Sequence, residues 1–169
     1  MDVSYKKQSL TFIGYHTFID PQKGYEECPA FWEQSYRQRF AHLYNTMTPE
    51  NALEQAMLDN HIGAYGICLM KDGKLDYWIA GLYSGGEVPS GLEILEVPES
   101  IFTMFTTQGP LPDSLQSLNT EIYEKWLPSE GLKHGAMRDM IIEVYSDQDP
   151  ASPAYECAIW MPVLKGAQL

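Results

Sequence analysis

Positive charge is scarce in this sequence. Its 169 residues hold 11 Lys+Arg against 23 Asp+Glu, a formal charge of −12. A domain that neutralises phosphates needs a surplus of Lys and Arg, so nucleic acid is not an expected partner. The dense basic pieces, Lys6-Lys7 and Arg37/Arg39, are too short for a nucleic-acid stripe. Cysteine is also scarce: Cys28, Cys68 and Cys157 form an odd set without C-x-x-C spacing. That argues against both a disulfide framework and a zinc knuckle. Reduced thiols in a cytoplasmic protein fit this usage. No stretch approaches the roughly 18 apolar residues of a membrane span. The N-terminus lacks the uninterrupted apolar segment of a signal peptide.

The motifs of common chemistries are missing too. His16, His42, His61 and His134 share no H-x-x-x-H or similar spacing, so no metal site is expected. The glycines of SGGEVPSG are not followed by G-K-[ST] and open no helix, which makes the run a loop. No G-x-S-x-G elbow marks a serine nucleophile. Asp147 and Asp149 form a D-x-D beside Pro150, a turn composition rather than a metal site. Neither a cofactor nor a catalytic constellation follows from spacing alone.

Periodicity is present. Residues 8–18 read as a strand, the segment DPQKGYEECP as a turn region, and the stretch that follows as a helix with Trp32, Tyr36, Phe40, Leu43 and Tyr44 on one face. A second short helix begins after Thr48-Pro49. Strands at 63–70 and 75–83 flank Asp72-Gly73, a hairpin signal. The order then repeats. A strand at 91–97 runs through EVPES into another at 101–107, and a helix follows at 112–127 with Leu115, Leu118, Ile122 and Trp126 on one face. Strands at 139–146 and 155–163 close the chain around the turn DQDPASP. Strand–helix–strand–strand therefore occurs twice. The expected class is α+β: tandem pseudo-duplicated β-α-β-β units with antiparallel sheets, repeat one at about 8–84 and repeat two at about 91–165, in a single domain spanning 1–169. A shared interior between the repeats is the expected ligand cleft.

Aromatic residues are plentiful: 11 Tyr, 6 Phe and 4 Trp. Many fall in the strands, and Trp126 lies on a helix predicted to pack over them. One reading is an aromatic core. The other is a set of flat walls for a planar apolar or cationic ligand, with Tyr65, Trp78, Phe105, Trp126 and Trp160 as the candidate contacts.

The ending YECAIWMPVLKG, the helix IYEKWLPSEGLKHG, the segment LEVPESIFTMFTTQGPLPDSLQ and the first-half DYWIAGLY together resemble the GyrI-like small-molecule-binding domain. That domain is also the effector-binding domain of AraC-type and MerR-type multidrug regulators. The resemblance runs from about residue 8 to 165 and is densest over 91–163. The chain begins at the domain's first strand, so it looks like the stand-alone form. The resemblance implies a tandem β-α-β-β fold and a cleft for lipophilic, often aromatic and cationic, compounds. Some stand-alone members are hydrolases that open the cyclopropane ring of genotoxic natural products. The family motif usually reads C-E-I-W-I-P-V, with a glutamate directed into the pocket. Here Cys157-Ala158-Ile159-Trp160-Met161-Pro162-Val163 places Ala158 at that position. A methyl group neither accepts a proton nor pairs with a cation. Trp78 also stands where relatives commonly carry Tyr.

Three accounts of Ala158 compete: natural divergence toward neutral ligands, replacement by Glu156 on the same strand face, or an engineered substitution. Glu156 starts about 6.6 Å back along the strand, too far for an unchanged geometry. Three functions follow in order. The first is drug or toxin binding. The second is a cyclopropanoid hydrolase, with Ala158 at the base position and Tyr65 as proton donor to the developing oxyanion. The third is an acidic protein-interaction inhibitor of a DNA-handling enzyme. The expected partner is a small aromatic or lipophilic molecule rather than nucleic acid or membrane.

Overall fold

In a computed structural model, which describes residues 1–166, the two sequence repeats become six strands and five α-helical segments. The order is β1 (Asp2–Ile19), α1 (Gly24–Phe31), α2 (Ala41–Thr46), α3 (Ala52–Asp59), β2 (Tyr65–Lys71), β3 (Lys74–Leu82), β4 (Glu93–Gln108), α4 (Asp113–Glu121), α5 (Leu132–His134), β5 (Met140–Tyr145) and β6 (Glu156–Val163). The class is α+β with antiparallel strands. The chain divides into two compact units. One is Leu10–Glu96; the other joins Met1–Ser9 to the chain from Val97 onward.

In the Leu10–Glu96 unit, β3 pairs antiparallel with β1 on one side and β2 on the other. The β2–β3 turn is built on Asp72 (φ 51°) and Gly73 (φ 76°). Two successive left-handed residues match the twist of the flanking strands, which is why Asp-Gly marked the hairpin. One face of this sheet is covered by the helices. Ile13, Tyr77 and Ile79 pack there against Phe40, Leu43 and Met57. α3 is capped by Asn51, whose Oδ1 accepts from the Glu54 N–H at 2.9 Å, so the helix starts at Ala52, beyond Thr48-Pro49.

In the second unit β6 is central, pairing with β4 and β5. Its helix-covered face joins Phe105, Ile159, Met161 and Val163 to Leu118, Ile122 and Trp126. In the D-x-D segment, Asp149 Oδ1 accepts from the Ala151 N–H at 3.0 Å, a turn-making contact.

Four expectations are corrected. The segment DPQKGYEECP is not an open turn: it holds a 3₁₀ turn at Pro21–Lys23 and then α1, with Pro29 inside it. The helix after it widens into π-type turns at Trp32–Gln38 and is separate from α2. The helix after β4 likewise widens over Ile122–Gly131, around Pro128. Proline lacks the N–H that an α-turn needs, and a wider turn re-routes the remaining bonds. The pieces 91–97 and 101–107 form one strand, because Pro98 lies outside Ile101–Gln108, the span paired with β6. A proline there removes no bond from that ladder.

Candidate functional site

A strand has two faces, and the sequence alone does not say which of them receives the helices. In the Leu10–Glu96 unit, odd-numbered β3 residues face the helices and even-numbered ones face away. Cross-strand partners share a face. The helix-free face therefore carries His16 opposite Trp78, Ile67 opposite Trp78 on the other side, and Tyr65 opposite Ala80. Phe12 packs edge-on against Tyr65, with centroids 5.1 Å apart. Burial pushes the Tyr65 phenol above its ordinary value, which keeps it a neutral donor.

Around Trp78 lies a cluster that sequence spacing did not reveal. The His16 ring stacks on the indole at 4.1 Å with an interplanar angle of 4°. Nδ1 of His16 lies 2.6 Å from Asp76 Oδ1, and Nε2 lies 2.5 Å from Glu93 Oε2. The indole Nε1–H of Trp78 donates to the other Asp76 oxygen at 3.1 Å. Lys71 Nζ lies 3.9 Å from that oxygen. Asp76 is 2 % exposed. One signal for it was in the sequence: a lone carboxylate inside the apolar run LDYWIAGLY. Buried charges are kept only when paired, so such a residue implies a cationic neighbour.

In the second unit, the helix-free face of β6 carries Ala158 and Trp160. Ala158 stands opposite Thr106 and Val144, and Trp160 opposite Met104 and Ile142. Ala158 is buried. Glu156 lies on the same face at the exposed start of β6, where its Oε1 accepts from Gln108 Nε2 at 3.0 Å. Phe105 and Trp126 lie on the other face. Their rings meet edge to face at 4.8 Å within the helix-covered core. The structure thus brings Tyr65 to the same face as Trp78, and Ala158 to the same face as Trp160. It sets Phe105 and Trp126 apart from Ala158 and Trp160, because odd and even positions of β4 and β6 point oppositely.

Many of the remaining aromatics are core. Trp32 Nε1 donates to the Tyr77 hydroxyl at 2.6 Å, and Tyr36 stacks on Tyr44 at 4.4 Å. The Cys157 thiol is pushed up by burial, which makes it an inert thiol rather than a nucleophile. Surface concavities lie along α4 at Asp113, Ser117 and Glu121, and beside Leu127, Pro128 and Leu132. Neither includes a residue of the two helix-free faces. His42, Glu50 and Glu54 offer ligand atoms within 4.8 Å of one another. Glu54 is already engaged there in capping α3.

With two β-α-β-β repeats in place, the comparison with known proteins is decisive. The family model of the Cass2 integron-associated effector binding protein matches residues 5–163. The chain belongs to this family, and its domain is a GyrI-like effector-binding domain. Solved structures share the fold. SAV2435, solved bound to tetraphenylphosphonium, is 22 % identical with a TM-score of 0.75, over 96 % of this chain and 94 % of that one. A putative transcription regulation protein of Staphylococcus aureus is 23 % identical with a TM-score of 0.74, over 98 % and 99 %. An integron cassette protein from the mobile metagenome of Vibrio cholerae is 11 % identical with a TM-score of 0.63, over 95 % of each chain. No curated protein matches the chain in sequence. Among the described residues no helix is long and apolar enough to cross a membrane.

Proposed function

We propose that this GyrI-like domain binds lipophilic aromatic molecules, organic cations among them. Its ligands rest on a helix-free sheet face, the one that carries Trp78 with Tyr65 in the Leu10–Glu96 unit or the one that carries Trp160 with Ala158 in the other. The observation that carries this reading is the Trp78 face: a flat indole with a buried carboxylate two residues away, in a chain of an effector-binding family. Aromatic faces attract cations through their quadrupole, and a carboxylate supplies the countercharge. That a protein of this fold was solved with tetraphenylphosphonium bound supports the ligand class. Cytoplasmic residence accompanies the reading, since an odd set of three cysteines without C-x-x-C spacing fits reduced thiols.

Calorimetric and tryptophan-fluorescence titrations of the unaltered protein test the proposal. The ligands are tetraphenylphosphonium, rhodamine 6G and a neutral planar drug. Saturable binding of at least one is expected, with quenching of indole emission. Absence of both heat and quenching across the whole set overturns it.

A further inference from the structure

The cluster at Trp78 has the form of a filled cation site. His16 lies flat on the indole, 4.1 Å away and 4° from parallel. Its two nitrogens meet carboxylate oxygens of Asp76 and Glu93 at 2.6 and 2.5 Å. An ionised carboxylate only accepts, so both bonds form together only when both ring nitrogens donate, as in imidazolium. A flat cation stacked on an aromatic face, with acceptors in the plane of its ring, is the arrangement that recognition of a planar aromatic cation requires.

We propose that His16 is a built-in occupant of an organic-cation subsite, and that planar aromatic cations bind by displacing it. This rests on the reading of the chain as a small-molecule binder and names the residues of that site. The ligand would stack on Trp78, with its charge facing Asp76 and Glu93. Three observations carry the assignment. Asp76 has a side chain only 3 % exposed, so it needs a cation beside it whether His16 or a ligand supplies one. The Trp78 N–H holds the second Asp76 oxygen, so indole and carboxylate stay aligned when the histidine leaves. The cluster opens where displacement would occur, since the His16 side chain is 22 % exposed and that of Glu93 66 %. Lys71, 3.9 Å from Asp76, offsets one of the two negative charges. With His16 withdrawn, the site keeps a net demand for one cation. The displaced imidazole is the size of a single ring, so the ligand class is a flat cation of one or two fused rings.

The test compares 1-methylquinolinium with neutral 1-methylnaphthalene by calorimetry. Unaltered protein, His16→Ala, His16→Gln and Glu93→Gln are compared. His16→Ala should bind the cation about tenfold or more tightly than the unaltered protein, while the neutral ligand gains far less. Glu93→Gln should weaken cation binding several-fold. His16→Gln keeps a donor for Asp76 without the ring or the charge, and should behave as His16→Ala even where alanine fails to fold. In the unaltered protein, saturating 1-methylquinolinium should move the His16 ring-proton resonances downfield, as the ring leaves the shielding face of Trp78. Equal cation affinity in all variants, an equal gain for the neutral ligand, or unmoved His16 resonances overturns the proposal. Tetraphenylphosphonium binding in that case leaves the broader reading standing. Binding of neither cation to any variant overturns the proposal too, and the broader reading then falls only if rhodamine 6G and the neutral planar drug also fail to bind.

Discussion

Ala158 concentrates the question at the scale of a residue. It is 7 % exposed on the helix-free face of β6, between Thr106 and Val144. An ionised carboxylate introduced there would be desolvated without an ion partner. Ala158→Glu should therefore cost about 3 kcal/mol or more in the free protein, read from urea denaturation. A bound organic cation would offset part of that cost, so the thermal upshift produced by tetraphenylphosphonium should be larger in the variant than in the unaltered chain. An upshift that is equal or smaller counts against a ligand cation resting near this position. The residue scale is also where sequence reading was uneven. Trp78, Tyr65 and Trp160 stood out as aromatic residues in strands. His16, Asp76 and Glu93 did not, because 77 positions separate the ends of that set and no spacing rule links them.

At the scale of elements, β3 at Gly81 lies close against the end of α3. A Cβ added at Gly81 would lie 1.8 Å from the Asn60 carbonyl oxygen. Asn60 cannot easily retreat: it is buried, its side-chain amide donates to the Ala56 carbonyl, and its Oδ1 accepts from Ser84. Gly81→Ala should destabilise by about 3 kcal/mol or more, or abolish folding, as measured by the urea midpoint. A loss below about 0.5 kcal/mol would mean that this contact relaxes freely. The strands and the hairpin were legible because period-two alternation and Asp-Gly are local signals. The π-type turns after α1 and α4 were not. They depend on how backbone bonds are re-routed around Pro29 and Pro128, and residue types alone leave several routes open.

At the scale of the molecule, burial sets an alkaline limit on stability. Tyr15, Tyr36 and Tyr44 lie against one core, and desolvation raises each phenol above its ordinary value of 10.0. Tyr44 also donates to the Ile62 carbonyl at 3.0 Å, a bond only the neutral phenol makes. In the unfolded chain these groups ionise near pH 10, while in the folded protein they hold their protons. Their contribution is thus complete below pH 10 and falls as pH rises through about 10 to 12, because the unfolded state then binds fewer protons. Urea midpoints at pH 8, 10 and 11 should decline across that window. The part of the tyrosinate absorbance that comes from Tyr15, Tyr36 and Tyr44 should rise together with unfolding rather than before it. Tyr15→Phe should make the decline shallower, and an unchanged decline removes Tyr15 from its cause.

The sequence by itself determined the acidic balance, the two β-α-β-β repeats and membership of an effector-binding family. These rest on composition, periodicity and local motif order, all properties of neighbouring residues. Only the tertiary structure decided what the aromatics do. Alternation gives each strand two faces, but which one receives the helices depends on packing over the whole unit. That packing buries Phe105 against Trp126, on the helical segment after α4, and leaves Trp78 and Trp160 on the opposite faces. It also gathers three strands around one ring, so that the Leu10–Glu96 unit presents a buried carboxylate, Asp76, beside an indole.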